Sequence, residues 1–175
     1  YLVASKPEIG SIERAKKAGI EVLVYDKSVY ANVTEFYQTI TKLFNENGVD
    51  YLVLAGWLLI IPQSFIENFE DRIINIHPAL LPSFGGKGYY GLNVHKAALE
   101  HGVKLSGATV HFVEADVDGG AIIMQRAVEV KYGDTPESLQ ERVLGVEHQI
   151  LPLCVKLLCE GKVVKEGRQV RVLED

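Results

Sequence analysis

Ile73-Ile74-Asn75-Ile76-His77-Pro78 decides the reading of the fold: a short apolar run, interrupted by one amide, ends in a histidine and a proline stop. Runs of this length without alternation, here and at Leu52-Val53-Leu54, are the pattern of strands covered on both faces of a mostly parallel sheet. The expected architecture is therefore α/β, with helices on both faces of that sheet. Working outward, residues 10–18 read as a short helix closed by Gly19, and residues 21–25 as an apolar strand. Asn32 and Glu35 form an N-x-x-E start signal, and the helix they open runs to about Asn47 with Phe36, Ile40, Leu43 and Phe44 on one face. Residues 51–55, 108–113 and 122–130 read as further strands and residues 93–101 as a helix. Thr135-Pro136 opens a long helix ending near Gly161, and a short strand pair within residues 163–172 is expected to finish the sheet. Without an internal repeat or a Pro/Ser-rich linker, residues 1–175 are expected to form one domain.

Composition narrows the class. With 47% hydrophobic and 23% charged residues among 175, the chain has ordinary globular composition and is not a disordered or collagen-like one. Its 18 Lys and Arg against 23 Asp and Glu give a formal charge of -5, which offers no broad electrostatic footprint for nucleic acid. An anionic ligand must then be held locally. No apolar run reaches the ~18 residues of a membrane span and no segment resembles a signal peptide, so the chain reads as cytoplasmic, without a membrane partner. Cys154 and Cys159 lie five residues apart in a helical stretch, on different faces, and read as buried reduced thiols. The histidines show no H-E-x-x-H spacing, and no metal is predicted.

Asn75 and His77, two apart on a strand, point to the same side, and the carboxyl end of a strand is where an α/β sheet is expected to bind its ligand. The same pair could instead serve loop backbone groups. A second segment adds specificity: Gly107-Ala108-Thr109-Val110-His111-Phe112-Val113, followed by Glu114-Ala115-Asp116-Val117-Asp118-Gly119-Gly120. Together with Asn75-Ile76-His77-Pro78 and Leu80-Leu81-Pro82-Ser83-Phe84, this pattern resembles the folate-dependent formyltransferase family. The resemblance covers nearly the whole chain, including Glu147-His148-Gln149-Ile150-Leu151-Pro152. It implies a Rossmann-like sheet and transfer of a formyl group from 10-formyltetrahydrofolate to the primary amine of glycinamide ribonucleotide, in purine biosynthesis.

What the resemblance implies for the residues can be set beside the chemistry. Amine attack on the formyl carbon makes a tetrahedral oxyanion, for which Asn75 and a protonated His77 would supply donors. Asp118 would raise and orient His77 and organise a water that relays the proton. The folate slot would have residues 57–61 on one side, with Leu58, Leu59 and Ile61 as contacts, and Val113, Glu114, Ala115, Asp116 and Val117 on the other. Leu58 and Val113 serve equally as core or as ligand wall. Many relatives carry Arg where this chain has Leu59, which removes a side-chain hydrogen bond from that slot. Glu147 matches the position that contacts the nucleotide ribose, or is simply a solvated helix carboxylate. His95, His101 and His148 are read as helix-surface or packing residues, and His111 as a support for the pocket.

Gly85-Gly86-Lys87-Gly88-Tyr89-Tyr90-Gly91 lacks the G-K-[ST] ending of a phosphate loop and reads as a mobile loop beside the substrate, with Lys87 either near a phosphate or solvated. Tyr1 aligns with the family's second strand, so the first strand, the glycine-rich phosphate turn and the first helix are expected to be missing from the sequence. Alternative readings are a formyltetrahydrofolate deformylase, which gives the formyl group to water, and a noncatalytic folate-binding domain. A methionyl-tRNA formyltransferase fits less well, having a further carboxyl-terminal domain. The oligomeric state is left open, a homodimer included.

Overall fold

The computed structural model describes residues 1–26 and 29–173. The elements are β1 (Leu2–Ala4), α1 (Gly10–Lys17), β2 (Val22–Val24), α2 (Val33–Glu46), β3 (Leu52–Ala55), α3 (Gln63–Asn68) and β4 (Ile73–His77). They continue with α4 (Leu92–Glu100), β5 (Leu105–Phe112), β6 (Ile122–Glu129), α5 (Pro136–Cys159), β7 (Val163–Glu166) and β8 (Gln169–Val172). Two compact units result, one from residues 1–49 with 57–68, the other from residues 50–56 with 69–175.

In the first unit β1 and β2 pair in parallel, Leu2 opposite Val22 and Ala4 opposite Val24, joined through α1. The Asn32 side chain accepts from the Glu35 amide at 3.0 Å, as the N-x-x-E spacing predicts, because the first amides of a helix lack partners within it. Phe36, Tyr37, Ile40 and Phe44 are the buried face of α2. Phe36 sits inside an aromatic cluster with Tyr25, Tyr30, Tyr37 and Trp57, at centroid separations of 5.0 to 6.5 Å. Trp57 Nε1 donates to the Tyr37 hydroxyl at 2.7 Å, which ties the start of the 57–61 segment to α2.

The second unit carries a four-stranded sheet in the order β3-β4-β5-β6. Only β3 and β4 run parallel; β4 with β5 and β5 with β6 are antiparallel, so the sheet is mixed and not mostly parallel. The reason is local. Residues 113–121 between β5 and β6 are too few for a parallel crossover and turn the chain straight back. The two apolar runs at residues 52–54 and 73–76 do pair in parallel, whereas β5, buried along nearly its whole length, is antiparallel to both its neighbours. The opposite holds for β3, whose Val53 and Ala55 are exposed, so that strand is not covered on both faces. The pair β7–β8 forms its own antiparallel hairpin and does not extend the sheet.

One face of this sheet is the core. Ile74, Ile76, Ala108, Val110, Phe112 and Ile123 are buried with Ala98 of α4 and with Leu139, Val143, Ile150, Cys154 and Leu158 of α5. Each of the Ile, Val, Leu and Phe side chains among them contributes on the order of 1.5–3 kcal/mol when fully buried. α5 starts at a reciprocal cap: Thr135 accepts from the Ser138 amide at 3.2 Å and its own amide donates to Ser138 Oγ at 3.0 Å. Cys154 is buried as expected, but Cys159 is exposed near the helix end. Because side chains alternate along a strand, the opposite face receives Asn75 and His77 from β4, Thr109 and His111 from β5, and Gln125 from β6.

Candidate active site

Register sets the polar face. Asn75 lies directly across from His111, and His77 directly across from Thr109. His111 Nδ1 is 2.7 Å from the Phe112 carbonyl, which can only accept, so this nitrogen carries the proton. In the neutral ring Nε2 is then an acceptor, and the Asn75 amide nitrogen donates to it at 3.2 Å. That leaves Asn75 a second N–H. His77 is fixed by the same logic: Nε2 faces the Phe84 carbonyl at 2.8 Å and donates to it, so Nδ1 is the nitrogen that gains and loses a proton. It lies 3.5 Å from Asp118 Oδ2, while Asp118 Oδ1 is 3.6 Å from His111 Nε2.

Asp118 reaches this position through a left-handed backbone, φ 56°, a conformation that Asp and Asn tolerate better than most residues. Its Oδ2 also accepts from the Gly86 amide at 2.9 Å. Burial pushes the Asp118 carboxyl up, but the Gly86 amide donated to it and the nearby His77 hold it below its ordinary value. The turn that follows needs glycine at 120, where a Cβ would collide with the Phe112 carbonyl oxygen.

His77 is titrated the other way from expectation. Burial lowers its pKa more than Asp118 and the Phe84 carbonyl raise it, so the imidazole is held below its ordinary value. Asp118 does raise the ring, as expected, but burial outweighs it. His95 on α4 is 1% exposed with Nδ1 unpartnered, and burial and then the His77 imidazole lower its pKa. It is a packing residue beside the site, whereas His101 and His148 are exposed. Among the described residues no group of three His, Cys, Asp or Glu side chains is arranged to hold a metal ion, and no helix is long and apolar enough to cross a membrane.

A model described as formyl transferase matches residues 1–155. The chain belongs to that family. The chloroplastic phosphoribosylglycinamide formyltransferase of Arabidopsis thaliana is 44% identical over 163 residues, 93% of this chain and 56% of the plant protein. The chain thus spans about half the length of that relative. Phosphoribosylglycinamide formyltransferase of Haemophilus influenzae is 36% identical over 162 residues, 93% of this chain and 74% of the bacterial one. Among solved structures, glycinamide ribonucleotide transformylase 1 from Symbiobacterium toebii matches with a TM-score of 0.89 at 42% identity, covering 98% of this chain and 79% of that one.

Within this member of the family, Asn75, His77 and Asp118 are brought together, with His111 between them. The other residues singled out in the sequence are distributed. Val113 and Glu114 are half-buried at the start of the turn after β5, and Ala115, Asp116 and Val117 are exposed along it. Glu114 receives Lys165 of β7 at 3.0 Å. Leu58 is 64% exposed, with Leu59 and Ile61 half-buried, in the first unit. Glu147 lies half-buried on α5, and burial pushes its carboxyl up to about 7. Lys87 is exposed, and the 85–91 loop, expected only as a mobile neighbour of substrate, has its Gly86 amide bound to Asp118. Sequence reasoning missed the Phe84 carbonyl, which has no side-chain signature at all.

Proposed function

We propose that the protein transfers the formyl group of 10-formyltetrahydrofolate to the primary amine of glycinamide ribonucleotide. The observation that carries this reading is the linked group Asn75, His111, Asp118 and His77 on one sheet face of a formyl transferase. In the reaction the amine nitrogen bonds to the formyl carbon, the carbonyl oxygen becomes an oxyanion, and the bond from that carbon to the folate nitrogen then breaks. One proton must leave the amine and one must reach the departing nitrogen.

The residues divide these tasks. The second N–H of Asn75, with its first committed to His111, is the oxyanion donor, pre-oriented before substrate arrives. His77 Nδ1, where Asp118 stabilises the charged ring, accepts the amine's proton through a water held on Asp118, and gives that proton back through the same water to the departing folate nitrogen. We assign Val113, Glu114, Ala115, Asp116 and Val117 as folate contacts in the second unit. Val117, 69% exposed, leaves apolar surface free to serve as part of a ligand wall. Glu147 is assigned to the ribose.

His77→Ala and Asp118→Asn test the assignment by steady-state formyl transfer. Each is expected to lower kcat by ~100-fold or more, the range of general acid–base catalysis, with an unchanged circular dichroism spectrum. Rates within ~3-fold of the parent in either variant would remove that residue from the mechanism.

A further inference from the structure

His77, Thr109 and Gln125 form one row across β4, β5 and β6, each directly opposite the next. Residues opposite one another project to the same face, so the row sets two further side chains beside the histidine. Thr109 is fully buried and its hydroxyl is saturated. It donates to the Ala79 carbonyl at 2.7 Å, accepts from the Leu81 amide at 3.1 Å, and accepts from Gln125 Nε2 at 2.9 Å. The other N–H of Gln125 goes to the Leu81 carbonyl at 2.9 Å. Both polar groups of the Leu81 backbone are thus held by side chains from two strands.

The segment gripped in this way leaves His77 and returns to it. Five residues beyond Ala79, the Phe84 carbonyl accepts from His77 Nε2, and two residues later the Gly86 amide donates to Asp118. The loop therefore touches both partners of the proton-carrying pair, and its first half is fixed by the row. We infer that Thr109 and Gln125 are positioning residues for the transfer: by clamping residues 79–81 they hold the Phe84 carbonyl on His77 Nε2 and so keep the proton-accepting nitrogen on the side of Asp118. This rests on the formyl-transfer reading for its kinetic consequence and on geometry alone for its tautomeric one.

With the clamp lost, the carbonyl drifts from Nε2 and the neutral ring populates both tautomers, only one of which presents Nδ1 unprotonated to Asp118. Thr109→Val keeps the shape but strands the Leu81 amide and the Ala79 carbonyl; Thr109→Ser restores both bonds. Three measurements are made on the full-length protein: kcat and KM, the pH profile of kcat/KM, and the His77 tautomer from ¹⁵N shifts of the imidazole. Thr109→Val is expected to lose ~10- to 100-fold in kcat with KM for both substrates within ~3-fold, the signature of misplacement rather than lost binding. Its ascending pH limb moves to lower pH, because the Phe84 contact favours the charged ring and has gone. Its His77 spectrum shows mixed tautomers, Thr109→Ser returns all three readouts toward the parent, and Gln125→Leu shifts them in the same direction by less.

An Nε2–H tautomer and a pH limb unchanged in Thr109→Val would overturn the inference whatever the rate. If that variant does not fold, the same two readouts unchanged in Gln125→Leu overturn it. A parent that transfers no formyl group removes the proposed function but leaves the tautomer test standing.

Discussion

A carboxyl half-buried in the middle of a helix carries a cost that depends on pH, and Glu147 on α5 is such a group. Burial pushes it up to about 7, above the ordinary 4.5 that it regains on unfolding. Because the folded-state pKa is the raised one, the native state binds the proton more tightly. The associated stability is fully present below about 4.5 and is lost as pH rises through about 7. Glu147→Gln is accordingly expected to stabilise the protein by ~1–3 kcal/mol at pH 8 and to be neutral at pH 4, read by urea unfolding at both. An equal difference at the two pH values would contradict the assignment. His77 makes a second prediction at this scale. Burial holds it below the ordinary 6.5, with Asp118 pulling upward, so the ascending limb of kcat/KM should fall below 6.5 and should fall further in Asp118→Asn. A limb that rises in that variant would show that the carboxylate does not act on His77.

Elements repeat the lesson that local signals are read where the backbone itself needs a partner. Thr135-Pro136 and Asn32 were legible because a helix start demands acceptors for free amides, and both caps form. Thr135→Ala should cost ~1 kcal/mol in unfolding free energy with formyl transfer unaffected; no loss would mean that Ser138 alone sustains the cap. Strand direction was not legible, since burial on both faces fits a parallel or an antiparallel interior equally, and only the length of the β5–β6 connection separates them. α3, six residues after Pro62, is too short to show a helical period. Asn75, His77 and Asp118 could be singled out because the proposed chemistry needs side chains of their kinds. The Phe84 carbonyl and the Gly86 amide could not, because any residue supplies a backbone group and only the fold says where it points.

At the scale of the whole molecule the net charge of -5 gives no general attraction for anionic substrates, so recognition must come from groups placed at the site. The second unit brings together an amide with a free donor, an imidazole whose pKa burial lowers and a carboxylate held below its ordinary value. Those are the parts that formyl transfer to an amine requires, and water could use the same parts as nucleophile. The decisive measurement is release of tetrahydrofolate from 10-formyltetrahydrofolate by the full-length protein, with and without glycinamide ribonucleotide. The account predicts release that depends on the nucleotide and is matched by formylated nucleotide mole for mole. Equal release in its absence, with formate as product, would contradict it and make the protein a hydrolase.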